Sequence, residues 1–143
     1  MQLFSWLSCI ALAAVVAAKE QPTTLKIETT YLPDECPYQT QQGDPIKVHY
    51  TGRLFANDQK FDSSLDRESP FSLIVGAGQV IQGWDEGLKG MCLYEKRTLT
   101  IPSSMAYGER GAAGIIPPGA ALVFDVELVE FNTKNHVQDR EEL

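Results

Sequence analysis

The chain has 143 residues, 22% of them charged, and a formal net charge of −7. That acidic balance argues against nucleic acid or an anionic membrane surface as a partner, since both repel such a surface. Three cysteines and two histidines also leave little material for a metal centre.

Residues 1–18 carry no charged side chain, and Leu3–Val16 is nearly continuous apolar sequence ending in Val16-Ala17-Ala18. Small residues there suit a signal peptidase, so a secretory signal cleaved after Ala18 is expected, although no Lys or Arg precedes the apolar run. The run falls short of the ~20 residues that cross a bilayer, so no membrane span is expected in the mature form. At the other end, Arg140-Glu141-Glu142-Leu143 is similar to the Lys/His-Asp-Glu-Leu tetrapeptide read by the endoplasmic-reticulum (ER) retrieval receptor. Together the ends point to the ER lumen and make that receptor an expected partner. Without the leader, 143 − 18 = 125 residues remain, enough for one domain with a real core.

Residues 19–39 read as a flexible arm followed by a first strand, in which Leu25–Tyr31 alternates apolar and polar as a half-buried strand does. Pro33, Pro37 and Gly43-Asp44-Pro45 punctuate a loop. Ile46–Leu54 alternates again, with Ile46, Val48 and Tyr50 on one face. Asn57-Asp58-Gln59 signals a turn before a short strand at Lys60-Phe61-Asp62, and Phe71–Val75 is a further strand ended by Gly76-Ala77-Gly78. Val80–Lys89 predicts the helix of the chain. Ile81, Trp84 and Leu88 share a face there, while Gly83, Gly87 and Gly90 keep it short.

Leu93–Ile101 predicts a strand, and 104–119 a Gly/Pro-rich loop of a length more often functional than structural. Ala121–Phe131 is the strongest strand, with Leu122, Phe124, Val126 and Leu128 opposite Asp125 and Glu127. Residues 132–143 read as a polar, disordered tail. Strands without βαβ alternation imply an antiparallel α+β fold.

Cys9 leaves with the leader, so Cys36 and Cys92 remain as an even pair in an oxidising compartment, and a disulfide is expected. Its loop of about 57 residues is worth on the order of 4 kcal/mol by chain entropy. His49 lies in a strand and His136 in the tail, which leaves no metal site and no cofactor expected. Ser63, Ser64, Ser103 and Ser104 lack a G-x-S-x-G elbow. Gly76-Ala77-Gly78 is followed by Gly83 two positions too late for a dinucleotide loop, and no C-x-x-C occurs. Asp62 and Arg67 lie beside Phe61 and Phe71. They form either an exposed loop ion pair, worth under about 1 kcal/mol, or an orienting pair at the rim of an aromatic pocket.

Six segments follow one another in order: Val48-His49-Tyr50-Thr51-Gly52, Lys60-Phe61-Asp62-Ser63-Ser64, Val80-Ile81-Gln82-Gly83-Trp84, Ala106-Tyr107-Gly108-Glu109-Arg110-Gly111, Gly114-Ile115-Ile116-Pro117-Pro118 and Leu122-Val123-Phe124-Asp125-Val126-Glu127-Leu128. With these segments the chain resembles the FKBP-type peptidyl-prolyl cis-trans isomerases over residues 40–131, and its ends and Cys36 and Cys92 resemble the small ER-lumenal members. The resemblance implies a bent antiparallel sheet of five to six strands around one short helix.

It also implies a pocket, with Trp84 as floor and Tyr50, Phe61, Phe71, Val80, Ile81, Tyr107 and Phe124 as walls. Tyr50, Phe61, Asp62, Tyr107 and Phe124 would be catalytic. Arg67 and the Ile81 N–H would help to hold substrate, with Ile115 and Ile116 lining a loop above. Leu73 and Ala112, where the family often carries an aromatic and a histidine, would lie at the pocket edge. The implied partners are proline-containing polypeptides and the macrolides tacrolimus and rapamycin, with the protein acting as a monomer in ER folding. A non-catalytic module that binds Pro-containing segments through the same pocket is the alternative.

Overall fold

The computed structural model describes residues 19–133 and His136; the expected leader and the REEL ending lie outside the described residues. Over residues 19–133, six strands and one short α-helix follow one another: β1 (Lys26–Tyr31), β2 (Pro45–Leu54), β3 (Lys60–Ser63), β4 (Phe71–Ile74), α1 (Gln82–Gly87), β5 (Lys96–Ile101) and β6 (Leu122–Phe131). All strand pairs are antiparallel, in the order β1-β5-β6-β2-β3, with β4 also on β2. The fold is the bent antiparallel sheet around one helix that the segment order implied.

The long strands obey their alternation. Ile46, Val48, Tyr50 and Leu54 point inward from β2, and Leu122, Phe124, Val126 and Leu128 from β6. Against β6, strand β2 is paired along its length. On its other edge it is shared, with β4 opposite Pro45–Val48 and β3 opposite Thr51–Arg53. Between those stretches the connection from β3 to β4 crosses, and Ser64 takes over the backbone of Tyr50. Ser64 Oγ accepts the Tyr50 N–H at 2.8 Å, and the Ser64 N–H donates to the Tyr50 carbonyl at 3.0 Å.

The helix is shorter than Val80–Lys89, because Ile81 is extended (ψ 149°) and Leu88 ends the turn. Its glycines do more than stop it. A Cβ on Gly83 would stand 2.4 Å from Ile101 Cγ2 and one on Gly87 2.8 Å from Leu99 Cδ1, so their absence lets α1 lie directly on β5. Trp84 and Leu88 are buried in that contact. Arg97 of β5 reaches the helix end and donates to the carbonyls of Gly87 (2.9 Å), Lys89 (2.7 Å) and Gly90 (2.9 Å). Its buried charge is matched by Glu95 Oε2 at 2.5 Å, so both the orphan carbonyls and the desolvated ions find partners.

Several expectations are corrected. Strand β1 is an edge strand exposed along its whole length, because among the described residues nothing packs over either of its faces. Strand β5 begins at Lys96 rather than Leu93, since Cys92–Glu95 turns back on itself with the Glu95 N–H on the Cys92 carbonyl (3.0 Å). The Cys36 and Cys92 sulfurs stand 2.01 Å apart and join that turn to the segment after β1. The arm is fastened rather than free: Lys19 Nζ donates to the Phe55 carbonyl (3.2 Å) and lies over the Phe55 ring. Leu73 is buried in the core opposite Ile46, not at a pocket edge, because β4 turns it inward. The tail is packed at His136, whose Nε2 meets Asp44 Oδ2 at 2.9 Å while its ring stands against Tyr38 and Phe131.

Candidate active site

Where β2 splits its edge, its inward face runs past the N-terminal end of α1, and the aromatic residues collect there. Tyr50 from β2, Phe61 and Asp62 from β3, Phe71 from β4, Val80, Ile81 and Trp84 around the helix start, Tyr107 from the long loop and Phe124 from β6 line one hollow of about 280 Å³. The rings brace one another edge to face. Trp84 meets Tyr50 at 4.9 Å and 79°, Phe124 at 5.3 Å and 84°, and Phe71 at 5.9 Å and 86°, and Phe61 meets Phe124 at 5.6 Å and 89°. Each such pair adds about 0.5–1.5 kcal/mol beyond its buried area. The walls are therefore set before anything binds. The Trp84 indole N–H is buried and has no acceptor among the described residues.

One rim of the hollow is polar. The Tyr50 hydroxyl donates to Asp62 Oδ2 at 2.5 Å, Arg67 Nη1 to Asp62 Oδ1 at 2.6 Å, and Arg67 Nη2 to the Tyr50 oxygen at 2.9 Å. Burial, and the carboxylate that it faces, raise the Tyr50 phenol above its ordinary pKa. Burial alone would raise Asp62 too, but the hydrogen bonds from Tyr50 and Arg67 outweigh it and hold its carboxyl below the usual value. The bond to Asp62 raises Arg67 further, so the cluster holds one fixed anion and one fixed cation. Ser63 and Ser64 steady it from behind, with Ser63 Oγ donating to the Tyr50 carbonyl at 3.1 Å.

Besides the Trp84 indole N–H, two donors nearer the mouth of the hollow are unmatched. Among the described residues nothing accepts the Tyr107 hydroxyl, which is 43% exposed, or the Ile81 N–H. Of the residues expected at the site, Arg67 stands behind the rim rather than on it. Ile115 is exposed and, with Ile116, lines a separate hollow under its own loop, while Ile116 is buried in the core; neither reaches this one. Ala112 bridges to Ile116 within that loop. Gln79 lines the hollow and was not foreseen. Its only sequence signal is its place before Val80-Ile81, and its Oε1 is engaged by the Ile74 N–H at 3.0 Å. Among the described residues no three His, Cys, Asp or Glu side chains gather to hold a metal ion. The arrangement offers a slot walled by aromatic rings, a charged rim and free donors, with no Ser, Thr, Cys or Lys among its lining residues to serve as a nucleophile.

The family described as FKBP-type peptidyl-prolyl cis-trans isomerase matches residues 36–129. FK506-binding protein 2B of Rhizopus delemar is 51% identical over 138 residues, covering 95% of this chain and 66% of the relative. FK506-binding protein 2 of Dictyostelium discoideum is 49% identical over 123 residues, covering 86% of this chain and 92% of its own. The crystal structure of AtFKBP13 superposes with a TM-score of 0.68 at 36% identity, over 78% of this chain and 96% of that one. The chain belongs to the FKBP-type peptidyl-prolyl cis-trans isomerases.

Proposed function

We propose that the aromatic hollow takes the prolyl ring of an X–Pro peptide and that the domain of residues 40–131 speeds rotation about the bond before it. Trp84, Phe71, Val80 and Ile81 hold the ring, and Tyr50, Phe61, Asp62, Tyr107 and Phe124 contact the rotating amide. What carries this assignment is the convergence of nine expected residues on one hollow with two free donors at its mouth.

Rotation meets a barrier of about 20 kcal/mol because amide resonance must be broken. A planar amide is more charge-separated than a twisted one, so water stabilises the ground state more than the transition state. Transfer of the proline into a dry ring-lined slot removes part of that advantage, which is binding that favours the transition state. The Ile81 N–H and the Tyr107 hydroxyl then hold flanking carbonyls in a turn. The Asp62 carboxylate, kept anionic by Arg67 and Tyr50, fixes the rim that faces the amide. No proton is transferred and no covalent bond forms.

The same slot suits tacrolimus- and rapamycin-type macrolides, which would compete with peptide. We place the protein in the ER lumen as a monomeric folding factor for proline-containing clients. The even pair Cys36 and Cys92, expected as a disulfide, suits an oxidising compartment, and the expected leader and REEL tetrapeptide fit that address and its retrieval receptor.

NMR exchange spectroscopy on an X–Pro peptide tests the assignment. Faster exchange with the wild type, largely lost in Phe61→Ala and reduced several-fold in Tyr107→Phe without loss of thermal stability, is expected. Saturable binding without faster exchange would replace the isomerase by a binding module.

A further inference from the structure

Strand β2 presents an inward side chain at every second residue, yet at Gly52, directly after Tyr50 on that face, it presents none. Gly52 pairs with Asp62 on one side and Phe124 on the other, so it lies under the junction of the polar rim and the aromatic wall. The space above it is taken by two rings. A Cβ on Gly52 would stand 2.7 Å from Phe124 Cε1, 2.7 Å from Phe61 Cζ and 3.0 Å from Phe61 Cε2. Carbon atoms rest at about 3.5–4.0 Å, so one methyl group would demand a retreat of about 1 Å.

The two rings are not equally able to retreat. Phe124 is buried, on a strand paired from both sides, and its ring is braced by Tyr50 at 6.1 Å and Trp84 at 5.3 Å. Phe61 is half-buried on β3, a four-residue strand at the sheet edge, and among the described residues its ring contact is Phe124 alone. Phe61 gives way first, and Phe124 Cε1, at 2.7 Å from the same Cβ, must turn with it. Both rings are walls of the hollow, so their displacement changes the slot.

We propose that Gly52 is a positioning residue of this isomerase: the side chain it lacks sets where Phe61 stands and so fixes the width of the prolyl slot. This rests on the assignment of the hollow as the substrate site.

Two readouts on the full chain test it, X–Pro isomerisation and titration of the Trp84 indole N–H signal with the same peptide. Gly52→Ala is expected to lower kcat/KM at least tenfold, mainly through KM, and to weaken peptide binding equally. Phe61→Leu removes two of the three clashing atoms and vacates the space beside Phe124, whose Cε1 is the third. The double variant Gly52→Ala/Phe61→Leu is therefore expected to lose clearly less than the product of the two single losses. A Gly52→Ala protein within twofold of wild type overturns the proposal. So does a double variant whose loss is the product of the two single losses. Where Gly52→Ala does not fold, the double variant decides: folding with peptide binding within about threefold of Phe61→Leu supports the proposal, and failure to fold or weaker binding overturns it. A wild type that binds peptide without isomerising it would defeat the isomerase assignment, while the binding titration still decides the role of Gly52.

Discussion

The Tyr50 hydroxyl donates to Asp62 Oδ2 across 2.5 Å, from β2 to β3, and so closes the charged side of the hollow. The link depends on the crossing at Ser64, which holds the Tyr50 backbone where β2 has neither β3 nor β4 beside it. Arg67 then ties Asp62 and Tyr50 together from outside. Half of the Arg67 side chain is exposed, so solvent screening leaves this ion pair a small part in stability. Its consequence is orientation.

Removing that orientation should cost activity far more than stability. Asp62→Ala is expected to lose most isomerisation, roughly tenfold or more in kcat/KM, which corresponds to at least about 1.4 kcal/mol of transition-state stabilisation. Tyr50→Phe should lose less, because Arg67 still holds the carboxylate. Paired kinetics and thermal melts check this; a large fall in melting temperature with unchanged kinetics would refute it.

The same cluster sets a pH dependence with a definite sign. Asp62 has its carboxyl lowered in the fold, so its contribution is present above the unfolded value of about 3.9 and is lost as pH falls through the lower folded value. Tyr50 is raised, so its contribution persists below about 10 and is lost as pH climbs through the raised value. Activity should be level across neutral pH and fall at both extremes. Asp62→Asn should start lower and remove the part of the acid limb that belongs to this cluster, measured as the difference from wild type across pH 2.5–7.

Mass spectrometry of the folded chain without reduction should find Cys36 and Cys92 unavailable to alkylation. Replacing both by Ala should cost about 2–4 kcal/mol in urea unfolding, with activity retained where the protein is still folded, since the pair is not among the residues lining the hollow.

His136 is buried against Asp44, whose Oδ2 also accepts the Gln41 N–H at 2.7 Å. His136→Ala leaves that buried carboxylate with one partner fewer. A loss of about 1–3 kcal/mol is expected in urea unfolding, with unchanged isomerisation. A wild-type midpoint would show that the contact contributes nothing.

Strands β2 and β6 were legible because alternation over ten residues survives any packing that buries one face. The hollow was legible through the ordered segments, since Tyr50, Phe61, Asp62, Trp84 and Phe124 all belong to them. Strand β1 misled, because Leu25–Tyr31 alternates like a half-buried strand yet lies at an edge that nothing among the described residues covers. The start of β5 misled as well. Leu93-Tyr94 suits a strand, but the backbone at Tyr94 turns left-handed (φ 70°) next to the bonded Cys92. His136 was hidden because Asp44, 92 residues away, is its partner.

By itself the sequence determined which residues of β2 and β6 face inward and which family the ordered segments resemble, because periodicity and side-chain type are local properties. Only the tertiary structure decided that β2 divides one edge between β3 and β4, that Ile115 and Ile116 stay outside the hollow, and that Phe61 stands on the empty place at Gly52. Those facts are distances between residues far apart in the chain. They follow from excluded volume and from hydrogen bonds that no local pattern records.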